Sequence, residues 1–349
     1  MSAAQPVVIN ARAAVRREIG GVERLTRELA ARLPTLRPDR YRVMRPPAAF
    51  AHRAGQVWEQ AFLPLAARGA RLVYSPANSA PLVGTRNVVV IHDAAALRHP
   101  EWYTPTYVAW QRRVLPRVAR RAVHLITVSE FSRRELVEVL DIPPDLISVV
   151  PDGVDERFLN GAAEPTSVRT LYGLERPYVL SVGSLIARKN LGALAQAAHR
   201  LREAGIDLVH AGPERGWARA ESAPPSRQLG YVDDAHLPGL YAGAAVLAMP
   251  SLYEGFGLPC LEAMASGTPV VASNRAALPE TCEDATLLVN PDDNQAFADA
   301  IYQAATDDGL RNRLVTAGRA RASTLTWERA AKLTDAVIER LLTEAADAL

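Results

Sequence analysis

Two glutamates, Glu254 and Glu262, stand eight residues apart in the segment Glu254-Gly-Phe-Gly-Leu-Pro-Cys-Leu-Glu262. The first sits on a loop broken by Gly255 and Gly257. Pro259 suits the start of a helix, because its ring fixes φ and its missing N–H would have no partner there anyway. Glu262 then falls in the first turns of that helix, and Gly267-Thr268-Pro269 is a good stop. A carboxylate so placed can accept hydrogen bonds from vicinal hydroxyls. Glu254, Phe256 and Gly257 fall where the N–H groups of a helix N-terminus meet negative charge. The combination suits a ligand that joins a sugar, a diphosphate and a ribose.

Three further groups have the residue types for such a ligand. Gly183-Ser-Leu-Ile-Ala-Arg188-Lys189-Asn190 follows a strand, and two adjacent cations on a glycine-containing loop can neutralise a diphosphate as it leaves. Arginine forks onto phosphate oxygens and lysine acts as a point charge. Most Arg-Lys pairs, however, lie on solvated loops. Gly20-Gly21 follows the first strand and opens a helix through Leu25, Leu29 and Leu33. Glycines there let a backbone approach phosphate, although a simple tight turn explains the pair equally well. His92-Asp93 ends the strand Val88–Ile91, and the carboxyl ends of parallel strands face the ligand crevice. A lone histidine is as often structural, and Asp93 either orients it or meets an acceptor. Ser129 reads as a helix N-cap, with a place lining the crevice as the alternative.

The elements that must hold these residues are short apolar strands alternating with amphipathic helices. One series comprises Val7–Ile9, Leu72–Tyr74, Val88–Ile91, Leu125–Val128 and Ile147–Val150. A second comprises Tyr178–Val182, Leu208–His210, Val246–Met249, Pro269–Ala272 and Thr286–Val289. Continuous apolar strands alternating with helices indicate parallel sheets covered on both faces, so two doubly wound α/β domains are expected. The break should follow Pro151-Asp-Gly-Val-Asp155, with Asn160–Pro165 as a turn-rich link. A last amphipathic helix should run from Thr326-Trp327 to about Leu342.

Composition sets the outer bounds. The 349 residues, 48% hydrophobic and 22% charged, suit a globular chain of two domains. No run of about 18 apolar residues exists to span a membrane, and the start lacks the basic-then-apolar order of a secretory signal. Cys260 and Cys282 are the only cysteines, too few for a disulfide framework and badly placed for zinc, which fits a reducing cytoplasm. Residues 1–160 hold 23 arginines against 15 acids, whereas 17 basic residues face 23 acids in the remainder. Within this, Trp102–Ala122 carries Arg112, Arg113, Arg117, Arg120 and Arg121 and no acid. Such a helix can lie on an anionic membrane, or simply be a solvated face, and Pro116 should kink or interrupt it. No stacking platform accompanies the arginines, so nucleic acid is not an expected partner. No G-x-G-x-x-G opens either half, which argues against a dinucleotide dehydrogenase.

The residues around the glutamate pair, Pro250-Ser-Leu-Tyr-Glu-Gly-Phe-Gly-Leu-Pro and Glu262-Ala-Met-Ala-Ser-Gly-Thr-Pro-Val-Val-Ala, resemble the E-x7-E motif of family 4 glycosyltransferases (GT4) nearly word for word. These are retaining enzymes of the GT-B fold, and the resemblance extends over almost the whole chain. It implies two Rossmann-like domains facing across a cleft: residues 1–160 plus 326–349 on the acceptor side, and residues 161–325 binding the nucleotide sugar. The last helix would cross back to the first domain.

The resemblance also implies roles. Glu262 would bind the ribose hydroxyls and Glu254 those of the donor sugar. Phe256, Gly257 and Leu258 would offer backbone groups to sugar and phosphate. Arg188 and Lys189, on the loop opened by Gly183, would carry the leaving diphosphate. Gly20 and Gly21 would face that diphosphate, and His92 would contact the donor sugar. Leu229-Gly-Tyr-Val-Asp-Asp234 looks like the loop whose backbone holds the base, with Val232 as the contact. Some arginines between Asn10 and Ile19 would face the acceptor.

The expected reaction is transfer of a sugar from a nucleotide diphosphate sugar to a hydroxyl of a saccharide, lipid-linked or other glycoconjugate acceptor, with retention. No D-x-D motif precedes the donor site, so no metal and no cofactor are expected, and no carboxylate nucleophile is evident. By resemblance the mechanism is same-face displacement assisted by the leaving phosphate. Val90–Tyr103 looks most like mannosyl- and rhamnosyltransferases of bacterial polysaccharide or glycolipid assembly, so GDP-mannose is the first choice of donor, ahead of dTDP-rhamnose or a UDP-hexose. The expected location is the cytoplasm, with the Arg112–Arg121 region as the candidate contact to the inner face of the cytoplasmic membrane. Two alternatives come from other classes: a nucleotide-sugar epimerase, which would need an acid/base set not assembled here, and a silent sugar-nucleotide binder, which the paired glutamates and the Arg-Lys loop oppose.

Overall fold

Six parallel strands build the sheet of the first unit in the computed structural model, which describes residues 6–50, 54–159, 165–219 and 224–347. They are β1 (Val7–Asn10), β2 (Tyr41–Met44), β3 (Leu72–Ser75), β4 (Asn87–Val90), β5 (Ala122–Thr127) and β6 (Ile147–Val149), in the order β2-β1-β3-β4-β5-β6. Val7, Val8, Ile9, Val88 and Val89 have no exposed surface, as strands covered on both faces should. The edge strand β2 escaped the sequence reading. Its Tyr-Arg-Val-Met is buried only at Tyr41 and lacks a continuous apolar run.

Helix α1 (Gly21–Leu36) buries Leu25, Leu29 and Leu33 on one stripe, each contributing roughly 1.5–3 kcal/mol. Helix α2 (Pro105–Arg121) runs on through Pro116, so of the expected kink or interruption the latter does not occur. The proline removes one backbone bond, but Val108, Leu115, Val118 and Ala119 on the buried side hold the helix together. Helix α3 (Glu130–Leu140) is capped by Ser129, whose Oγ accepts from the Ser132 N–H at 3.0 Å. The last helix, Trp327–Asp347, belongs to this unit. Trp327 and Ile338 are fully buried, and Asp335 accepts from the Tyr41 hydroxyl and the Arg37 Nε, both at 2.7 Å.

The second unit repeats the plan. Its strands are β7 (Tyr178–Val182), β8 (Asp207–Ala211), β9 (Arg227–Gln228), β10 (Val246–Met249), β11 (Val270–Ser273) and β12 (Leu287–Val289), in the parallel order β12-β11-β10-β7-β8-β9. The exposed two-residue β9 gives no apolar signal and was not foreseen. Helices α4 (Ala195–Glu203) and α6 (Asn294–Thr306) cover one face, meeting Val179, Val246 and Val271 through Leu201, Phe297 and Ile301. Between them in the chain lies α5 (Leu258–Ala265), the glutamate-bearing helix.

The first unit comprises residues 1–98, 108–153 and 327–349, and the second residues 99–107 and 154–326. The chain therefore changes unit at Gly153, inside the aspartate- and glycine-containing turn. The turn-rich stretch at 160–164 lies outside the described residues. A feature absent from the sequence reading is that residues 99–107 join the second unit.

Candidate functional site

Strand order decides where a ligand can enter. In the second unit the chain winds one way from β7 through β9 and the other way from β10 through β12. Such a reversal opens a crevice at the carboxyl ends of the two central strands. The loops leaving β7 and β10 carry Arg188-Lys189 and Glu254, so residues 65 positions apart meet. The Lys189 Nζ donates to Glu254 Oε1 at 2.7 Å, and the Arg188 Nη1 donates to Glu254 Oε2 at 2.8 Å and to the Tyr253 carbonyl at 2.7 Å.

This cluster is largely dry, with Lys189 8% and Glu254 6% exposed. Burial pushes the Glu254 carboxyl up, but Arg188 and Lys189 overcome it and leave the group at about 2. Burial pulls the Lys189 ammonium down, with Glu254 pulling the other way. Two cations face one carboxylate, so the cluster keeps a net positive charge for an anion.

The turn that presents the cations is locked. Asn190 sits in the left-handed region at φ 53°, and its Nδ2 donates to the carbonyls of Pro250 and Pro291 at 3.2 and 3.1 Å. The Leu252 N–H returns a bond to the Arg188 carbonyl at 2.8 Å. Gly183 lies beneath, at φ 147°, and a Cβ there would come within 2.9 Å of the Lys189 Cε. A side chain at this position would push the ammonium away from Glu254.

Helix α5 starts at Leu258 rather than Pro259, with Gly257 as its cap at φ 109°. A Cβ on Gly257 would lie 2.6 Å from Leu278, so only glycine fits this approach. Phe256 and Leu258 are buried, and the Phe256 carbonyl is taken by the Thr281 hydroxyl at 2.6 Å. Pro259 has no N–H and the Cys260 N–H donates to the Gly257 carbonyl at 3.0 Å, so within the first turn it is the Leu258 N–H that has no intrahelical acceptor. Glu262 is 4% exposed and accepts from the Tyr241 hydroxyl at 2.9 Å. Tyr241, which the sequence analysis did not assign to the site, fixes the carboxylate's rotamer. Val232 is buried at 5% exposure in the loop that follows β9.

In the first unit His92 is 8% exposed, and its Nε2 lies 3.0 Å from the Pro76 carbonyl. A carbonyl only accepts, so Nε2 carries the proton. Burial lowers the pKa, which keeps the ring neutral at neutral pH and leaves Nδ1 with its lone pair. Asp93 does not orient this ring through a bond: its Oδ1 accepts from the Ala95 N–H at 3.0 Å.

The Gly20–Gly21 turn already carries a carboxylate of the chain itself, since Glu23 Oε2 accepts from the Gly20 N–H at 3.1 Å and Oε1 from Arg16 at 2.8 Å. Glu23 is also near enough to His92 to act on its charge. Of the other residues between Asn10 and Ile19, Arg12 is buried against Glu59 at 2.8 Å.

Comparisons with known proteins place the chain in a family. Residues 176–307 match the family model "Glycosyl transferases group 1", and residues 61–158 match "Glycosyltransferase Family 4". The chain is 34% identical over 264 residues to O-antigen chain mannosyltransferase B of Escherichia coli, covering 70% of this chain and 67% of that protein. It is 32% identical over 291 residues to the MMP alpha-(1->4)-mannosyltransferase of Mycolicibacterium hassiacum, covering 76% of this chain and 67% of that protein. Among solved structures, the sucrose-phosphate synthase of Thermosynechococcus elongatus superposes with a TM-score of 0.74 at 20% identity, over 97% of this chain and 100% of that one. The structural likeness shows the fold, two parallel α/β units of the GT-B class. The sequence relatives show the lineage: the chain is a glycosyltransferase and belongs to glycosyltransferase family 4.

Proposed function

We propose that this glycosyltransferase moves mannose from GDP-mannose to a hydroxyl of a saccharide or lipid-linked acceptor, with retention and without a metal or other cofactor. The observation that carries the donor-site reading is the Arg188–Glu254–Lys189 cluster at the carboxyl ends of β7 and β10. As the bond from the sugar to the diphosphate breaks, negative charge grows on the phosphate oxygens. Fixed cations in a dry site stabilise that charge without having to reorganise. Glu254 stays ionised and accepts the donor sugar's hydroxyls. Glu262, steered by Tyr241, accepts those of the ribose, while Phe256, Gly257 and Leu258 offer backbone groups. Gly20, Gly21 and the neutral His92 are assigned to the diphosphate and sugar, which requires Glu23 to share the helix end. The mannosyltransferases among the relatives support mannose; dTDP-rhamnose and UDP-hexoses rank next.

The test is release of nucleoside diphosphate from GDP-, UDP- and dTDP-sugars, with EDTA present and a pooled extract as acceptor. Release from GDP-mannose that needs the extract is the expected result. Silence with every donor, combined with no nucleotide binding by calorimetry, overturns the donor site. A trapped glycosyl-carboxylate adduct would overturn the displacement mechanism.

The second part of the proposal concerns the acceptor's surroundings. No helix among the described residues is long and apolar enough to cross a membrane. The exposed side of α2 presents Arg112, Arg113, Arg117, Arg120 and Arg121, together with Trp110 at 40% exposure. Each arginine near an anionic surface contributes about 1 kcal/mol. Binding to phosphatidylglycerol vesicles is expected to weaken about 100-fold when Arg112, Arg113 and Arg117 are replaced by serine. Equal sedimentation of both proteins would remove this part.

A further inference from the structure

The segment 99–107 forms a short aromatic ledge on the second unit, beside the cation cluster. Its Tyr103 makes an antiparallel bridge with Ala218, the Arg219 N–H donates to the Trp102 carbonyl at 2.9 Å, and the Thr104 N–H donates to the Trp217 carbonyl at 3.1 Å. Tyr103 and Tyr107 stack on Trp217 at 5.9 and 5.1 Å between centroids. The same loop reaches the cations, because the Ala187 N–H donates to the Arg219 carbonyl at 3.2 Å. Trp102 is thus clamped on both sides by backbone bonds.

The Trp102 indole stacks on His99 at 4.0 Å and 18°, and both rings stand edge-on to Tyr253, at 6.4 and 5.7 Å. Tyr253 precedes Glu254 and gives its carbonyl to Arg188. Trp102 is only partly buried. Its indole N–H has no partner among the described residues and, unlike that of Trp327, is not buried. The Glu101 carboxylate lies 3.1 Å from the His99 Nδ1. A rigid, partly open indole with an available N–H and an acidic group alongside has the chemistry of a sugar platform: an apolar face for ring C–H groups, with a donor and an acceptor at its rim.

We propose that Trp102, backed by His99 and Tyr253, stacks a pyranose ring next to the reacting sugar and so selects the acceptor. The inference rests on the donor-site reading in one respect: with Glu254 holding the donor sugar, a ring one residue away meets a sugar rather than the base, which lies a diphosphate's length off. The occupant is an acceptor pyranose, and the test separates it from the donor's own ring.

The experiment follows indole N–H resonances of the full chain by NMR, with that of Trp102 identified by its loss in Trp102→Phe. Methyl α-D-mannopyranoside is added to about 100 mM, because one stacked sugar supplies only millimolar affinity. A saturable shift of the Trp102 signal, with Trp327 unmoved, is expected and indicates an acceptor sugar. A shift produced by GDP-mannose but not by GDP or the glycoside places the donor's own ring on Trp102 and overturns the acceptor assignment. Silence with both sugars overturns the proposal. Turnover gives a second reading: Trp102→Leu should raise the acceptor KM about 10-fold and leave the donor KM unchanged, with Trp102→Phe retaining most of the affinity. Because the titration needs no catalysis, it reports on the platform even if no donor is used. Transfer with a silent indole removes the platform and leaves the donor site standing.

Discussion

Arg188→Ala should lower kcat by about 100- to 1000-fold, the loss seen when one fixed donor to a developing anion is removed. The KM for the donor should change far less, because Lys189 still meets the diphosphate in the ground state. Glu254→Gln should behave differently. It leaves Arg188 and Lys189 without their counter-charge in a dry site, so an anion binds there more tightly. Nucleoside diphosphate affinity, measured by calorimetry, is expected to rise while transfer falls. Breaking a buried pair is also costly, so this variant should lose about 3–5 kcal/mol of stability in urea unfolding. The pH profile offers a further check. Glu254 is held at about 2, so it ionises well below the working range and gives no step between pH 5 and 9. An Arg188→Ala enzyme with unchanged single-turnover rate would show that the leaving charge is carried elsewhere.

The contrast between these residues shows what could be read from sequence. Arg188, Lys189 and Glu254 were legible as types beside strands and glycines, but not as one cluster. Their meeting depends on β7 and β10 being neighbours, which the strand order dictates and local spacing does not. At Gly20 a second local signal went unread. Glycine before a helix suggested an anion site, yet Glu23 stands three residues on, the spacing of a capping box whose side chain bonds back to the cap N–H. That signal was present and pointed to an internal anion. Trp102–Ala122 read as one basic stretch, whereas its first residues leave for the second unit. Aromatic residues at the head of an arginine-rich helix carry no period that marks such a division. Strands with continuous apolar runs are legible, whereas the edge strands β2, buried only at Tyr41, and β9, exposed throughout, are not.

Asp152→Asn should stabilise the first unit at alkaline pH and do little in acid. Asp152 follows β6 and is 3% exposed, with its Oδ1 lacking any hydrogen-bond partner among the described residues. Among the described residues no cation acts on it: the Tyr74 hydroxyl lies within electrostatic reach, and Thr334 of the last helix lies beside Tyr74. Burial alone pushes the carboxyl up to about 8. Below about pH 4 the group is protonated in both folded and unfolded chains, and its contribution to stability is fully present. Between pH 4 and 8 the unfolded chain has released its proton while the folded chain still holds it, so stability falls by about 1.4 kcal/mol per pH unit. The loss is complete above pH 8 and amounts to roughly 6 kcal/mol. Asparagine keeps the shape and a neutral amide and removes the slope. The two proteins should therefore unfold at similar urea concentrations near pH 4, diverge steadily to about pH 8 and keep a constant gap above it. Hydrogen exchange in the last helix provides a reading confined to the first unit, where Trp327 and Thr334 are buried. Parallel pH profiles would mean that Asp152 finds a cation or a donor in solution, and that the carboxyl is ionised and paired where the chain leaves its first unit.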